Sequence, residues 1–157
     1  MTLTTDQLKA RLHQVARHLE HWGNLRARDD GMTRRRALLE FDLAVPARDV
    51  PDVKGLYREY YDRDRTGTWM LIKYTYEYAD LVRSWRLGYH LHAVGDGPPI
   101  AHAHCEPGDG LRATESAHHL RAIEYDLREA NAVFMRLYAA GLPPGCDEFL
   151  PLEIDRR

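Results

Sequence analysis

The sequence predicts an α+β fold: an antiparallel β-meander of about five strands, with an N-terminal helix and a long C-terminal helix packed on one face. Three observations predict it. Apolar residues recur at helical spacing near the start (Leu8, Leu12, Val15, Leu19, Trp22) and again in the last third (Leu120, Ile123, Leu127, Ala130, Phe134, Leu137). Between them the chain alternates with period two, most clearly from Trp69 to Tyr78, where Ile72, Tyr74, Tyr76 and Tyr78 interleave with Leu71, Lys73, Thr75 and Glu77. Turn-forming clusters separate the alternating runs: Asp29-Asp30-Gly31, Asp62 to Gly67, Val94 to Pro99 and Pro107 to Gly110.

A chain of 157 residues fits one domain, 1–157. Its expected parts are a helix over about 5–23, a sheet over about 34–106, a helix over about 115–140 and a C-terminal strap over 141–157. Thr4, Thr5 or Asp6 can cap the first helix. Arg36 to Val45 reads as a strand that Pro46 ends, and Leu56 to Tyr61 reads as a second. Trp69 to Tyr78 is a third, and a two-residue turn at Ala79-Asp80 would lead into Leu81 to His92. That turn pairs Tyr78 with Leu81, Tyr74 with Trp85, Ile72 with Leu87 and Met70 with Tyr89, all apolar and so on the core face. Thr114 or Ser116 would cap the long helix, placing His118 and His119 in its first turn, and Gly141 with Pro143-Pro144 would stop it.

Composition bounds the function. Hydrophobic residues make up 44% of the chain and charged residues 29%, as in ordinary folded domains. A net charge of −2 gives no general argument for nucleic-acid binding. The one basic run, Arg34-Arg35-Arg36, reads as a solvated edge. Two cysteines, Cys105 and Cys146, are too few for a disulfide framework, and both are expected reduced in a cytoplasm. No apolar run approaches the roughly 20 residues of a membrane helix, and the N-terminus has no signal-peptide core.

The most informative feature is a pair of His-x-His motifs, His90-Leu91-His92 and His102-Ala103-His104, across a Gly/Pro-rich loop. On a strand, residues two apart share a face. A hairpin centred on Gly97 would set His92 opposite His102 and His90 opposite His104, with Cβ atoms about 5 Å apart. Lys73, Thr75, Glu77, Ser84 and Arg86 fall on the same, polar side. His18 and His21 are three apart in the first helix and read as part of a solvated face.

Imidazole is the commonest zinc ligand and suits other divalent first-row transition metals. His90, His92, His102 and His104 are therefore the expected metal ligands, for zinc or such a metal. Three of them could leave a fourth position to a water, which the metal would acidify to a pKa of about 7. Glu106 or Asp96 would serve as base or oxygen ligand, and Lys73 and Arg86 as anion contacts. His90, His104, Glu106, Lys73 and Arg86 are the expected catalytic groups. The expected function is a small cytoplasmic hydrolase acting on a phosphodiester or other anionic substrate.

Metal-free chemistry is the alternative. Two histidines can take a proton from a 2′-OH and return one to the leaving oxygen, as in an endoribonuclease-like toxin or phage-defence protein with an RNA substrate and an antitoxin partner. The short His segment loosely resembles the TumE-type toxins, small α+β proteins with a His-containing segment near a strand. That resemblance carries over no residue. His104-Cys-Glu106 matches the His-x-Glu of zinc-dependent deaminases, but no Pro-Cys-x-x-Cys follows. His102-x-His104 with Glu106 is similar to the cupin pattern, but its His-to-Glu gap is too short. A third class is non-catalytic: a His-rich, pH-sensitive interface with a second copy or a protein partner.

Overall fold

The computed structural model describes residues 1–29, 32–45, 53–80, 85–93, 97–106, 117–121 and 126–139. A two-residue strand, β1 (Thr2–Leu3), leads into helix α1 (Thr5–Leu19). Thr4 is the N-cap: its hydroxyl accepts from the Gln7 N–H at 3.2 Å, and the Gln7 side chain accepts from the Thr4 N–H at 2.8 Å. This reciprocal box satisfies two donors that a helix start leaves orphaned. Leu8, Val15 and Leu19 are buried along one face, each contributing roughly 1.5–3 kcal/mol relative to exposure. The helix ends four residues short of the expected 23, and Trp22, beyond its end, is exposed.

Seven strands then follow in sequence order, each antiparallel to the next: β2 (Asn24–Arg28), β3 (Arg36–Ala44), β4 (Val53–Arg63), β5 (Trp69–Asp80), β6 (Trp85–Ala93), β7 (Pro99–Glu106) and β8 (Ala117–Arg121). β1 adds to the start of β5. Helix α2 (Leu127–Ala139) closes the described chain. No helix among the described residues is long and apolar enough to cross a membrane.

The sheet is larger than five strands because two segments carry no clean signal. β2, Asn-Leu-Arg-Ala-Arg, is an exposed edge strand with a single apolar alternation. β8 occupies the stretch expected to begin the long helix. Ala117 to Arg121 pairs with Ala101 to Cys105, so His118 and His119 lie on a strand. The helix starts at Leu127 instead of about 115, where Asp126 caps it: the Asp126 carboxylate accepts from the Arg128 N–H at 2.9 Å. The expected strap 141–157, including Cys146, lies outside the described residues, as do Thr114 and Ser116.

Two register findings set the faces. Ala79 and Asp80 are not a turn; they remain paired, with Arg86 and Trp85. Tyr78 therefore faces Leu87, six positions beyond the expected Leu81, and Tyr74 faces Leu91. An even displacement leaves every side chain on its face. The second finding does change a face. Tyr60 lies opposite Lys73 but Tyr61 lies opposite Leu71, so Ile72 is an extra residue, a β-bulge. Alternation reverses across it: Tyr74, Tyr76 and Tyr78 are buried, while beyond the bulge Trp69 is buried and Met70 and Ile72 are 39% and 38% exposed. Met70 and Ile72 were expected on the core face; the bulge moves them off it.

The buried face is unusually rich in tyrosine. Tyr57, Tyr76 and Tyr89 stand in one cross-strand row, and Tyr74 stacks on Tyr76 with ring centroids 4.3 Å apart. Phe134 of α2 packs on Tyr57, Tyr78 and Tyr89 at 6.4, 5.9 and 5.6 Å. The Tyr57 hydroxyl donates to Asn131 Oδ1 at 2.6 Å. At the centre of this face lies Glu59, fully buried. Its carboxylate accepts from Arg11 Nε at 2.6 Å and from Arg11 Nη2, and from the Tyr61 and Tyr76 hydroxyls at 2.7 Å each. Burial, and then the Glu59 charge, push both tyrosines well above the usual phenol range. The Asp126 carboxylate lies 3.7 Å from Arg11 Nη1, so α1, the sheet and the start of α2 meet in one ionic network.

Breaking a buried pair by deleting one partner leaves an uncompensated charge and costs about 3–5 kcal/mol. Arg11→Met is expected to lower the free energy of unfolding by about that amount in urea denaturation, and Arg11→Met/Glu59→Gln to recover part of it. A double variant no more stable than Arg11→Met would refute this account. Burial raises the Asp126 carboxyl, but hydrogen bonds from Arg128 and then the charges of Arg11 and Arg128 outweigh it and hold the group below the usual carboxylate range. Its contribution is therefore complete above the unfolded value of about 3.9 and lost as pH falls below it. Asp126→Asn, which keeps the cap, is expected to show a stability deficit that is constant above about pH 5 and shrinks below about pH 4.

Candidate metal centre

β6 and β7 carry the histidines because their alternation puts Leu87, Tyr89, Leu91 and Ala101 into the core and sends the intervening residues to the opposite side. On that side one cross-strand row runs Glu40, Arg58, Thr75, His90, His102. Its first part is an ion-pair lattice: Arg58 reaches Glu40 at 2.6 Å and Asp42 at 2.8 Å. Its last part is imidazole.

His90 faces His102 directly, and His92 faces Ile100. The hairpin is thus two positions from the expected register, which had paired His92 with His102 and His90 with His104. The displacement is again even, and the faces hold. Ring centroids are 4.8 Å apart for His92 and His102, 5.5 Å for His90 and His102, and 6.1 Å for His90 and His92. One ring nitrogen from each lies within 4.8 Å of the other two, so these three side chains could hold a metal ion. Tetrahedral zinc needs ligand nitrogens roughly 3.3 Å apart, given Zn–N bonds of about 2.0–2.1 Å, closer than the 4.8 Å within which these three lie. His102 is buried, and His90 and His92 are half-buried.

Oxygen acceptors orient the His90 and His102 rings. His90 Nε2 lies 3.2 Å from Glu77 Oε1, and His102 Nδ1 lies 3.3 Å from the Ile100 carbonyl oxygen. An ionised carboxylate and a carbonyl only accept, so each of those nitrogens carries the proton. The lone pair of the neutral ring then sits on Nδ1 of His90 and on Nε2 of His102. A ligating histidine is commonly held in this way, by a carboxylate or carbonyl behind it. Gly88 makes room for the arrangement: a Cβ added there would lie 3.0 Å from His90 Nε2 and 3.4 Å from Glu77 Cγ.

The other expected site residues are placed differently. The register sets His104 opposite Gly88 on β6 and His118 on β8. Glu106 lies opposite Arg86. Both are four positions from the His90–His102 pair, roughly 13 Å along the strands. Arg86 is exposed. Lys73 is also exposed, and its ammonium sits 5.2 Å from the centre of the Tyr60 ring, a cation–π contact. Asp96 lies outside the described residues. Alternation puts Glu77 on the polar side, but the register expected from sequence sets it far from His90, so spacing alone does not reveal the contact.

Comparison with known protein families, curated proteins and solved structures finds no match. The chemistry of the centre therefore rests on its own geometry. The tautomers make a direct check: long-range ¹H–¹⁵N spectra should show His90 protonated on Nε2 and His102 on Nδ1, and Glu77→Ala should return His90 to a tautomer mixture while leaving His102 unchanged. A His90 spectrum indifferent to Glu77→Ala would remove the carboxylate from the site.

Proposed function

We propose that this protein is a small metal-dependent hydrolase acting on a phosphodiester or similar anionic substrate. The reading is carried by one observation: three imidazoles converge on one side of a hairpin, with Glu77 behind one of them and the Ile100 carbonyl behind another. Nitrogen-rich, neutral ligation of this kind favours zinc or another first-row transition metal over calcium or magnesium. Bound there, zinc would acidify a water at its fourth position to a pKa of about 7 and draw in an anionic oxygen.

The chain's own residues have definite tasks in this reading. His90, His92 and His102 supply the nitrogens. Glu77 fixes the His90 ring. His104, two residues from His102 along β7, is the candidate for proton transfer to a leaving group. Arg86 and Glu106, paired across β6 and β7, are candidates for contacting the more distant parts of a substrate, and Lys73 for an anion contact.

The Glu77–His90 pair also suits a second reading, metal-free acid–base cleavage of RNA. A carboxylate behind an imidazole is the usual way to hold a general base. Elemental analysis of untagged protein separates the two. One equivalent of metal is expected, lost in His92→Ala and bound about 10–100-fold more weakly in Glu77→Ala. Hydrolysis of an activated phosphodiester should disappear with chelator and return with zinc. Metal-free protein whose RNA cleavage survives chelator would overturn the metal reading in favour of the second; a folded His90→Ala/His102→Ala variant with unchanged metal content and activity would overturn both.

A further inference from the structure

We propose that the arginine-lined cleft at the far end of the β4–β5 hairpin is a phosphate-binding site, separate from the histidine centre. The cleft, of about 710 Å³, is lined by Arg34 and Arg35 from the segment before β3 and by Arg63 and Arg65 from the end of β4 and its turn. That volume lies within the range of clefts that take small ligands.

Four guanidiniums around one cleft repel one another, and the rest of the sheet shows how this chain handles arginines with nothing to bind. Arg28 and Arg58 each lie between Glu40 and Asp42, and Arg36 lies 3.5 Å from Asp62. Among the described residues, no carboxylate pairs with Arg34, Arg35 or Arg65. The one acid lining the cleft, Asp64, is turned to structural use: its Oδ1 accepts from the Thr66 N–H at 2.8 Å, the Thr66 hydroxyl at 2.7 Å and the Thr68 N–H at 2.9 Å.

Hydrogen bonds fix the backbone of both walls. Gly67, with φ of 92°, takes the left-handed conformation that the turn requires. Arg63 is pinned by its Nε donating to the Gly67 carbonyl at 3.1 Å and by lying 5.5 Å over the Trp69 ring. On the other wall the Thr33 hydroxyl accepts from the Arg35 and Arg36 N–H groups at 3.2 and 2.9 Å. The Arg63 N–H donates to the Arg35 carbonyl at 2.8 Å and ties the two walls together. Guanidinium forks carried on two walls whose backbones are tied together can meet the paired oxygens of a phosphate. The shared chemistry is a phosphate group, which either a small organic phosphate or the 5′ end of a nucleic-acid strand could present.

Titration calorimetry of the full chain at low salt tests this with three probes: pyrophosphate, ADP, and an oligonucleotide with or without a 5′-phosphate. Pyrophosphate should bind, and Arg35→Ala/Arg65→Ala should weaken it roughly tenfold or more, with folding unchanged because both side chains are exposed. Arg17→Ala/Arg26→Ala, which removes as much charge elsewhere, should bind as the wild type does. Tight ADP binding identifies a small phosphate as the source; preference for the 5′-phosphorylated strand identifies nucleic acid. Absence of binding by every probe, an Arg35→Ala/Arg65→Ala variant that binds like wild type, or equal weakening by the Arg17/Arg26 pair would each overturn the proposal. Metal content measured on the same variants should not change, which keeps this result distinct from the fate of the histidine centre.

Discussion

One buried carboxylate organises the molecule. Glu59 sits on the core face of β4, where a charge is costly unless it is paired and fully hydrogen-bonded. Arg11 and two tyrosine hydroxyls meet that demand, and each comes from a different part of the chain. The requirement thus dictates which turn of α1 lies over the sheet and which tyrosines stand beside it. Asp126, reached by the same guanidinium, extends the constraint to the entry of α2. An all-apolar core could slide; this one has an ionic seat, and apolar side chains such as Leu8, Val15, Phe134 and Tyr89 pack around it.

Much of this was legible in the sequence where the signal is periodic. The α1 stripe from Leu8 to Leu19, the Leu39-Phe41-Leu43 alternation and the tyrosine run of β5 each placed their residues on the right face, while Trp22, the last of the stripe, is exposed beyond the helix. The failures have identifiable causes. Met70 and Ile72 continue the even-numbered pattern, so nothing local reveals that the chain inserts a residue at the bulge. Ala117 to Arg121 carries helix-compatible residues and becomes a strand because the edge of β7 offers it backbone partners. The Ala79-Asp80 pair looks like a turn, yet both residues stay in the ladder, paired with Arg86 and Trp85.

The histidine centre was legible in outline and not in detail, for a related reason. Alternation is set by the pleat, so it survives any even error in register. The convergence of His90, His92 and His102 could therefore be read from spacing alone. Which two histidines face each other depends on how many residues the connecting loop consumes, and Gly/Pro content does not specify that number. The same uncertainty concealed Glu77 behind His90, although both residues were correctly assigned to the polar side.

The hairpin that carries the histidines has a consequence for how the protein assembles. His90, His92 and His102 lie on two consecutive strands, and Glu77 lies on the strand just before them. Closing such short loops costs little chain entropy. The Glu59 seat instead joins residues as far apart as Arg11 and Asp126, contacts that only a nearly complete chain can make. The histidine centre is thus a local feature that three adjoining strands form among themselves, whereas the ionic seat is complete only when both helices are docked on the sheet.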